Sequence, residues 1–243
     1  MDGTLAIAGI FLGAGLVKGA VGLGLPTIGM GLLVLMMPPA KAAAILTLPA
    51  FITNIWQMAG PRLRAILQRT WSMLAGVCVG TWAGAGLMSG ERAREGTIAL
   101  GLALAAYAAT SLAGFRLPVR PAAERWLAPL VGLATGLLTA ATGVFVIPAV
   151  PYLQALDFEK EELVQALALS FTVSTLALTV NLARAGAFNG TVGFSSLVAL
   201  GCAIAGMLAG QVVRERMQAD TFRRWFLLGL LALGLYIAAR AAW

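Results

Sequence analysis

A single lysine, Lys18, lies inside a long apolar stretch that is interrupted by glycines, "LVKGAVGLGLPTIG" at 16–29. An unpaired charge at membrane depth costs at least about 2.5–3.5 kcal/mol, so this side chain should face a wet cavity or a ligand, or be neutral. The alternative interpretation is that its ammonium group reaches a nearby membrane surface along its apolar stem. We favour a functional role, and the alternative stays open at this point.

The signs of the charges inside the apolar segments point to an anion. All ten Asp and Glu residues lie at the termini or in the polar breaks between apolar segments. A cation transporter usually needs a carboxylate in its pathway. A lysine together with backbone N–H groups at the N-termini of half-helices suits an anion instead, and glycines let that backbone approach the ligand closely.

Short polar side chains add candidate ligands for such an anion. They cluster near the glycine-rich breaks and in the helices that follow, where spacings of three or four residues place them on one helix face. Hydrogen bonding between helices, worth about 0.6 kcal/mol on average, is the alternative role for each of them. The predicted substrate-binding residues are Lys18, Gly22, Gly24, Thr27, Thr53, Asn54, Gln57, Thr139, Thr142, Gly143, Ser170, Ser174 and Thr175.

The amino-acid composition indicates the class of protein that must position these residues. The 243-residue chain is 60% hydrophobic and 11% charged, with a mean hydropathy of +0.88, whereas a soluble domain has about 45–50% apolar and about 25% charged residues. We therefore expect an all-α integral membrane protein that spans the bilayer several times, in the inner membrane of a bacterium. The net charge of +7 fits cytoplasmic loops and anionic lipids, and we expect no nucleic-acid partner.

The residue types of the chain give little support for a catalytic function. The chain has no histidine, and its two cysteines, Cys78 and Cys202, stand alone in apolar segments. No paired carboxylates, metal-ligand cluster or nucleophile with a base is recognisable, so we expect no enzyme activity, no catalytic residue, no metal and no cofactor. A non-catalytic subunit of a larger membrane complex and a homodimer both stay open.

Eight apolar segments follow one another along the chain, and two of them are too long for a simple span. The segment at 3–37 has 35 residues and the one at 126–156 has 31, or roughly 52 and 46 Å as straight helices, against a hydrocarbon core of about 30 Å. Each contains glycines followed by a proline, Pro26 in the first and Pro148 in the second. We therefore predict that each is a broken helix or a hairpin of two short helices.

The two long segments also resemble each other. "GLVKGAVGLGLP" at 15–26 aligns with "GLLTAATGVFVIP" at 136–148, so that Thr139 stands where the first copy has Lys18. At nearly the same offset, Thr53 and Asn54 meet Ser174 and Thr175. We predict two repeats of about 120 residues, at 1–120 and 121–243, that form one membrane domain, each with a long segment and three ordinary spans.

The positive-inside rule tests how the repeats are oriented. If each long segment crosses once, the repeats are parallel and the 16 Lys and Arg residues other than Lys18 divide equally between the two sides. If each long segment is a hairpin, the repeats are inverted and the division is 11 against 5, so we favour this arrangement. The eleven residues on the predicted cytoplasmic side are Arg62, Arg64, Arg69, Arg116, Arg120, Arg125, Lys160, Arg214, Arg216, Arg223 and Arg224.

Two further patterns predict contacts without a ligand. Gly80 and Gly84, like Gly206 and Gly210, form small-xxx-small pairs that are typical of close helix packing. Tryptophans at segment edges predict anchors at the membrane interface, and these are Trp71, Trp126 and Trp225.

The glycine-rich breaks and the repeat give the chain a family resemblance. With "KGAVGLGLPTIG" at 18–29, "TAATGVFVIP" at 139–148 and "TLPAFITN" at 47–54, the chain resembles the sulfite exporter TauE/SafE family of membrane transporters over nearly its whole length. The resemblance implies export of sulfite, a sulfonate or a related organic or sulfur-containing anion. We expect a secondary transporter or uniporter that works by alternating access, with an anion channel as the alternative.

Overall fold

The computed structural model describes residues 2–88, 90–114, 119–216 and 219–242. Within these ranges the protein consists of ten α-helices and a short 3-10 helix at Gly90–Arg92, without any strand. The helices of the first half are α1 (Asp2–Val21), α2 (Leu25–Leu33), α3 (Pro39–Met58), α4 (Leu63–Ala83) and α5 (Ala93–Leu112). Those of the second half are α6 (Pro121–Thr142), α7 (Ala149–Gln154), α8 (Lys160–Arg184), α9 (Gly190–Arg216) and α10 (Ala219–Ala242).

Five of these helices are long and apolar enough to cross a bilayer, which confirms a multi-pass membrane protein. The five candidate spans are Gly3–Val21, Ala93–Leu112, Lys160–Arg184, Gly190–Val213 and Arg223–Ala242. The remaining long helices, α3, α4 and α6, have 20, 21 and 22 residues, which is the length of a span, and pack in the same bundle.

Both long apolar segments are broken, as predicted. The first divides into α1 and α2 between residues 21 and 25, where Gly24 has φ 129° and a side chain would meet Val17. The second divides into α6 and α7, and Gly143 at the end of α6 has φ 70° and faces the side chain of Met30. Only glycine adopts these backbone angles at little cost, so the residues that interrupt the helices also permit the turns.

After each break, the short helix folds back along the long one. In the first half, Gly29 of α2 lies near Phe11 of α1 and Leu46 of α3. In the second half, the Tyr152 hydroxyl of α7 donates to the carbonyl oxygen of Glu124 in the first turn of α6, at 3.5 Å. Each long segment is therefore a helical hairpin, which decides between the two predicted forms.

Glycines set the closest helix contacts. Helix α1 packs mainly against α9, and Gly206 and Gly210 of α9 lie against the backbone carbonyls of Leu12 and Leu16. Helix α4 packs in the same way against α6, where Gly80 meets the carbonyl of Leu133. Because any side chain at these positions would overlap backbone atoms, the small-xxx-small pairs act as predicted.

The other large contacts join the two halves of the chain. Helix α3 packs on α8, and α5 packs on α10. Helices α5 and α10 run antiparallel, because Arg94 at the start of α5 donates to the carbonyl of Ala241 at the end of α10, at 2.7 Å, and Gly101 lies against Gly234 in between.

Ion pairs gather the first turns of α4, α6 and α8 at one end of the bundle. Arg62 donates to Glu162 at 2.8 Å, and Arg69 binds both carboxylate oxygens of Glu124, at 2.8 and 2.9 Å. We call this end the cationic face, since the basic residues near the starts of α4, α6 and α8 lie there, namely Arg62, Arg64, Arg69, Arg125 and Lys160. Of the residues predicted on this side, Arg116 lies outside the described residues.

Candidate functional site

Lys18 is the centre of the candidate site. Its side chain is only 2% exposed, although it lies one turn from the end of α1. Its ammonium group donates to the hydroxyl of Thr53, at 3.0 Å, and to the side-chain oxygen of Asn54, both on α3. Lys18 has no carboxylate partner within the described residues, so the protein contributes a buried positive charge held by neutral oxygens.

Three buried side-chain groups of the predicted site have no hydrogen-bond partner within the described residues. They are the side-chain nitrogen of Asn54, which is 1% exposed, and the hydroxyl groups of Ser170 and Ser174, which are fully buried. A buried polar group without a partner costs about 1–3 kcal/mol. Such groups are rare in native proteins and call for a ligand or a water molecule to satisfy them.

The repeat alignment makes the unpartnered serines informative. Thr53 accepts the hydrogen bond from Lys18, whereas the matching residue of the second half, Ser174, has no partner. The residue that matches Lys18 is Thr139, whose hydroxyl donates to the carbonyl of Thr135 in its own helix, at 2.7 Å. At these matching positions the first half therefore carries a lysine, and the second half offers the Ser174 hydroxyl, which has no partner within the described residues.

The remaining predicted threonines are satisfied locally. Thr27 donates to the carbonyl of Gly24 at 3.0 Å, Thr142 to that of Leu138 at 2.6 Å, and Thr175 to that of Phe171 at 2.7 Å. Each hydroxyl hydrogen is thus engaged within its own segment. These threonines can offer an anion no further donor without giving up that bond.

Gly22 and Gly24 bring the backbone of the first break to the same region. Helix α2 begins at Leu25 without a side-chain cap, and Gly24 lies beside Lys18. The first N–H groups of a helix lack partners and carry a partial positive charge. The start of α2 therefore brings this partial positive charge close to the backbone of Lys18.

A cavity of about 370 Å³ opens next to these residues from the cationic face. Gly19 and Gly22 of the first hairpin form one side, and Ala168 and Phe171 of α8 form another. Gly19 follows Lys18 in the chain, and Ser170 lies between Ala168 and Phe171, so the cavity borders the helix segments that carry the lysine and this serine.

Polar residues line the mouth of this cavity, and only one of them was predicted. Gln57 lines it as expected. Sequence analysis missed Gln154 of α7, Lys160 of α8, Gln211 of α9 and Arg223 of α10. These four stand at or near helix ends, where polar residues are common, so no local pattern distinguishes them.

Two aromatic rings close the inner part of the cavity. Phe171 lines it and packs against Phe145 from the second break, with the ring centres 5.0 Å apart. Phe145 is 1% exposed and Phe171 is 3% exposed. The pair therefore couples the second hairpin directly to the helix that carries Ser170 and Ser174.

The predicted site thus separates into three groups. The first, the buried polar set, contains residues that share contacts with Lys18 or lack a partner: Lys18, Thr53, Asn54, Ser170 and Ser174. The second borders the cavity or the break, as Gln57, Gly22 and Gly24 do. The third comprises Gly143, which faces Met30, and the threonines that bond within their own segments, Thr27, Thr139, Thr142 and Thr175.

The buried cation and the broken helices lie in a chain that matches a known family over most of its length. The model of the family described as "Sulfite exporter TauE/SafE" matches residues 6–237. No curated protein and no solved structure shows a significant match. The chain belongs to the sulfite exporter TauE/SafE family, whose members are membrane transporters for sulfur-containing anions.

Proposed function

We propose that this protein exports sulfite, a sulfonate or a related organic or sulfur-containing anion, and that the anion binds beside Lys18. The observation that carries the proposal is the buried ammonium group of Lys18, bound to Asn54 of α3, together with unpartnered donors on Asn54 itself and on Ser170 and Ser174 of α8, the helix that packs on α3. A sulfur oxyanion presents several oxygens that accept hydrogen bonds. It would therefore satisfy the ammonium, amide and hydroxyl donors together.

The cavity gives this anion a route from the cationic face. Lys160 and Arg223 at the mouth would attract an anion, and the glutamines beside them offer neutral amide donors. The route then passes Phe171, on the segment of α8 that also carries the buried Ser170 and Ser174. Because like charges on Lys18 and the two outer cations favour anions at every step, the route disfavours cations.

We further propose that the two halves, 1–120 and 121–243, are inverted repeats. In this arrangement α1 corresponds to α6, α3 to α8, α4 to α9 and α5 to α10. The contact between α1 and α9 then corresponds to the contact between α6 and α4, and the contacts of α3 with α8 and of α5 with α10 each join two corresponding helices. The corresponding helices α5 and α10 run antiparallel, as inverted repeats require. Inverted repeats around broken helices are common in secondary transporters.

Alternating access follows from this architecture. Rocking of one half against the other would open the site first towards the cationic face and then towards the opposite face. Phe145 and Phe171 belong to the second half, whereas Lys18 and Asn54 belong to the first. A relative movement of the halves would therefore separate the aromatic pair from the cation and release the anion.

Membrane voltage could drive this export. Within the described residues, no carboxylate or histidine lines the cavity or bonds to the buried polar set, so neither group is placed there to relay a proton. Moving one negative charge out of a negative interior is favoured by about 2.3 kcal/mol per 100 mV. Flux that does not respond to an imposed potential would reject voltage as the driving force.

The proposal is tested with purified protein in lipid vesicles. We expect saturable flux of sulfite or of a short alkyl sulfonate, and acceleration of labelled efflux by unlabelled anion on the other side. Counter-transport of this kind identifies a carrier, whereas a channel shows none. Activity of the purified chain alone also separates a transporter from a subunit that depends on a complex.

Two serine variants connect this flux to the proposed site. Ser170→Ala and Ser174→Ala should each weaken anion affinity about 2- to 12-fold, since a hydrogen bond contributes about 0.5–1.5 kcal/mol. Neither should destabilise the fold, because neither hydroxyl has a partner to lose. Thr172→Val is the matched control, since the Thr172 hydroxyl bonds within α8. Equal affinities in all three variants would remove the serines from the site.

A further inference from the structure

A second cavity lies on the outside of the bundle, away from the anion site. It is an open groove of about 850 Å³ between α4 and α6. Small residues form its floor, namely Ala75 and Gly76 of α4 and Ala128 of α6. Larger apolar side chains, such as Leu130, which is 61% exposed, form its sides.

The groove has the length of one leaflet of a bilayer. Along α4 it extends from Arg69 to Val79, and along α6 from Arg125 to Leu133. At about 1.5 Å per residue these distances are roughly 15 and 12 Å, close to half of a hydrocarbon core of about 30 Å. The groove therefore begins at the cationic face and ends near the middle of the membrane.

The polar end of the groove carries one cation that the protein leaves free. Arg69 is engaged by both carboxylate oxygens of Glu124. Arg125 has no carboxylate partner within the described residues, and its guanidinium lies 5.5 Å from the ring centre of Trp126. Trp71, which is 64% exposed, lines the same end, as expected for a residue at the membrane interface.

We propose that this groove binds one anionic phospholipid, with its phosphate at Arg125 and an acyl chain along Ala75 and Leu130. A guanidinium presents paired donors that match phosphate oxygens. Among the described residues that line the groove, Glu124 is the acidic one, and Arg69 already neutralises its charge, so it attracts the ammonium of a zwitterionic headgroup only weakly. Basic pockets between membrane helices are known to bind such lipids.

A second copy of the chain fits the groove less well. In a two-fold dimer, both partners would bring the same surface to the interface. Arg125 of both copies would then enter the same interface, while Glu124 of each copy is already engaged by Arg69. The charges therefore favour a lipid, and a dimer through this surface becomes an outcome of the test.

The test titrates detergent-purified protein with phosphatidylglycerol or phosphatidylethanolamine of the same acyl chains, followed by native mass spectrometry. We expect tighter binding of phosphatidylglycerol. Arg125→Gln should weaken it about five-fold, because one basic residue contributes about 1 kcal/mol towards anionic lipid. Arg64→Gln is the matched control, an exposed arginine outside the groove.

A second variant tests the apolar part without changing any charge. Ala75→Phe should fill the groove and reduce binding of both lipids, whereas Ala106→Phe, at an exposed position of α5, should not. Equal binding of the two lipids, or equal losses in Arg125→Gln and Arg64→Gln, would overturn the proposal. A dimer that is cross-linked through Ser72→Cys, a groove position, would overturn it as well.

Discussion

Replacing Lys18 by methionine separates a binding role of this lysine from a structural one. Methionine has similar length, no charge and no hydrogen-bond donor. Because Lys18 would donate a charge-assisted hydrogen bond to the anion, its loss should cost about 1.5–3 kcal/mol of binding free energy. At about 1.4 kcal/mol per factor of ten, the anion affinity should fall about 10- to 150-fold.

The fold should tolerate the same substitution. Lys18→Met removes a buried charge, whose cost in a membrane helix is at least about 2.5–3.5 kcal/mol. It leaves the side-chain oxygen of Asn54 without a donor, at a cost of about 1–3 kcal/mol, while Thr53 keeps its bond to the carbonyl of Pro49, at 2.7 Å. The two effects largely offset each other, so the free energy of unfolding should change little.

Thermal unfolding with and without sulfite or an alkyl sulfonate measures both quantities on one sample. We expect Lys18→Met to unfold near the midpoint of the parent protein and to lose the stabilisation by the anion. Lys41→Met is the matched control, since Lys41 is exposed at the start of α3. An anion-induced shift retained in Lys18→Met, or a large drop of its midpoint with unchanged affinity, would refute the reasoning.

Three further predictions concern packing, the cavity mouth and topology. Gly206→Leu should destabilise the protein by about 1–3 kcal/mol or more, because the new side chain overlaps the backbone of α1. Gly201→Leu on the same helix is the control, since its side chain meets open space. The midpoints of thermal unfolding of the two variants measure the difference. Lys160→Gln and Arg223→Gln should each raise KM by up to about five-fold, since exposed charge pairs contribute roughly 0.2–1 kcal/mol. The increase in KM should shrink at high salt and be absent in Arg240→Gln, at the opposite end of the bundle. A KM in Lys160→Gln and Arg223→Gln equal to that of Arg240→Gln would argue against the cavity as the entrance. A reporter that is active only in the cytoplasm, fused after the last residue, should stay silent, and activity there would contradict the inverted arrangement.

Much of the fold follows from local features of the sequence. The breaks after Val21 and Thr142 fall where glycines and a proline weaken the helix and where glycine permits the turn. The glycine pairs that lie at helix contacts are also local, because their spacing of four residues places both on one face. Such features depend only on the residue and its near neighbours, so they can be predicted without the tertiary structure.

The candidate site was predicted less completely. The pairing of Lys18 with Thr53 and Asn54 fits the expectation that these residues share a site, although they are 35 and 36 residues apart. Thr139 and Thr142 were expected as donors, but both hydroxyl groups donate to carbonyls of their own helix. The hydroxyl of a threonine in a helix can donate either to a carbonyl of its own helix or to a group outside it. Only the tertiary surroundings of the side chain decide between the two.

By itself, the sequence determined a membrane protein with two broken apolar segments and one lysine inside them. Hydropathy and the positions of the glycines, the prolines and Lys18 are properties of the chain that no packing can change. Only the tertiary structure decided which polar groups stay unpartnered and which residues line the cavity. Gln57, Lys160 and Arg223 line the cavity from three different helices. Their helix ends meet through long-range packing, which produces no periodic pattern in the sequence.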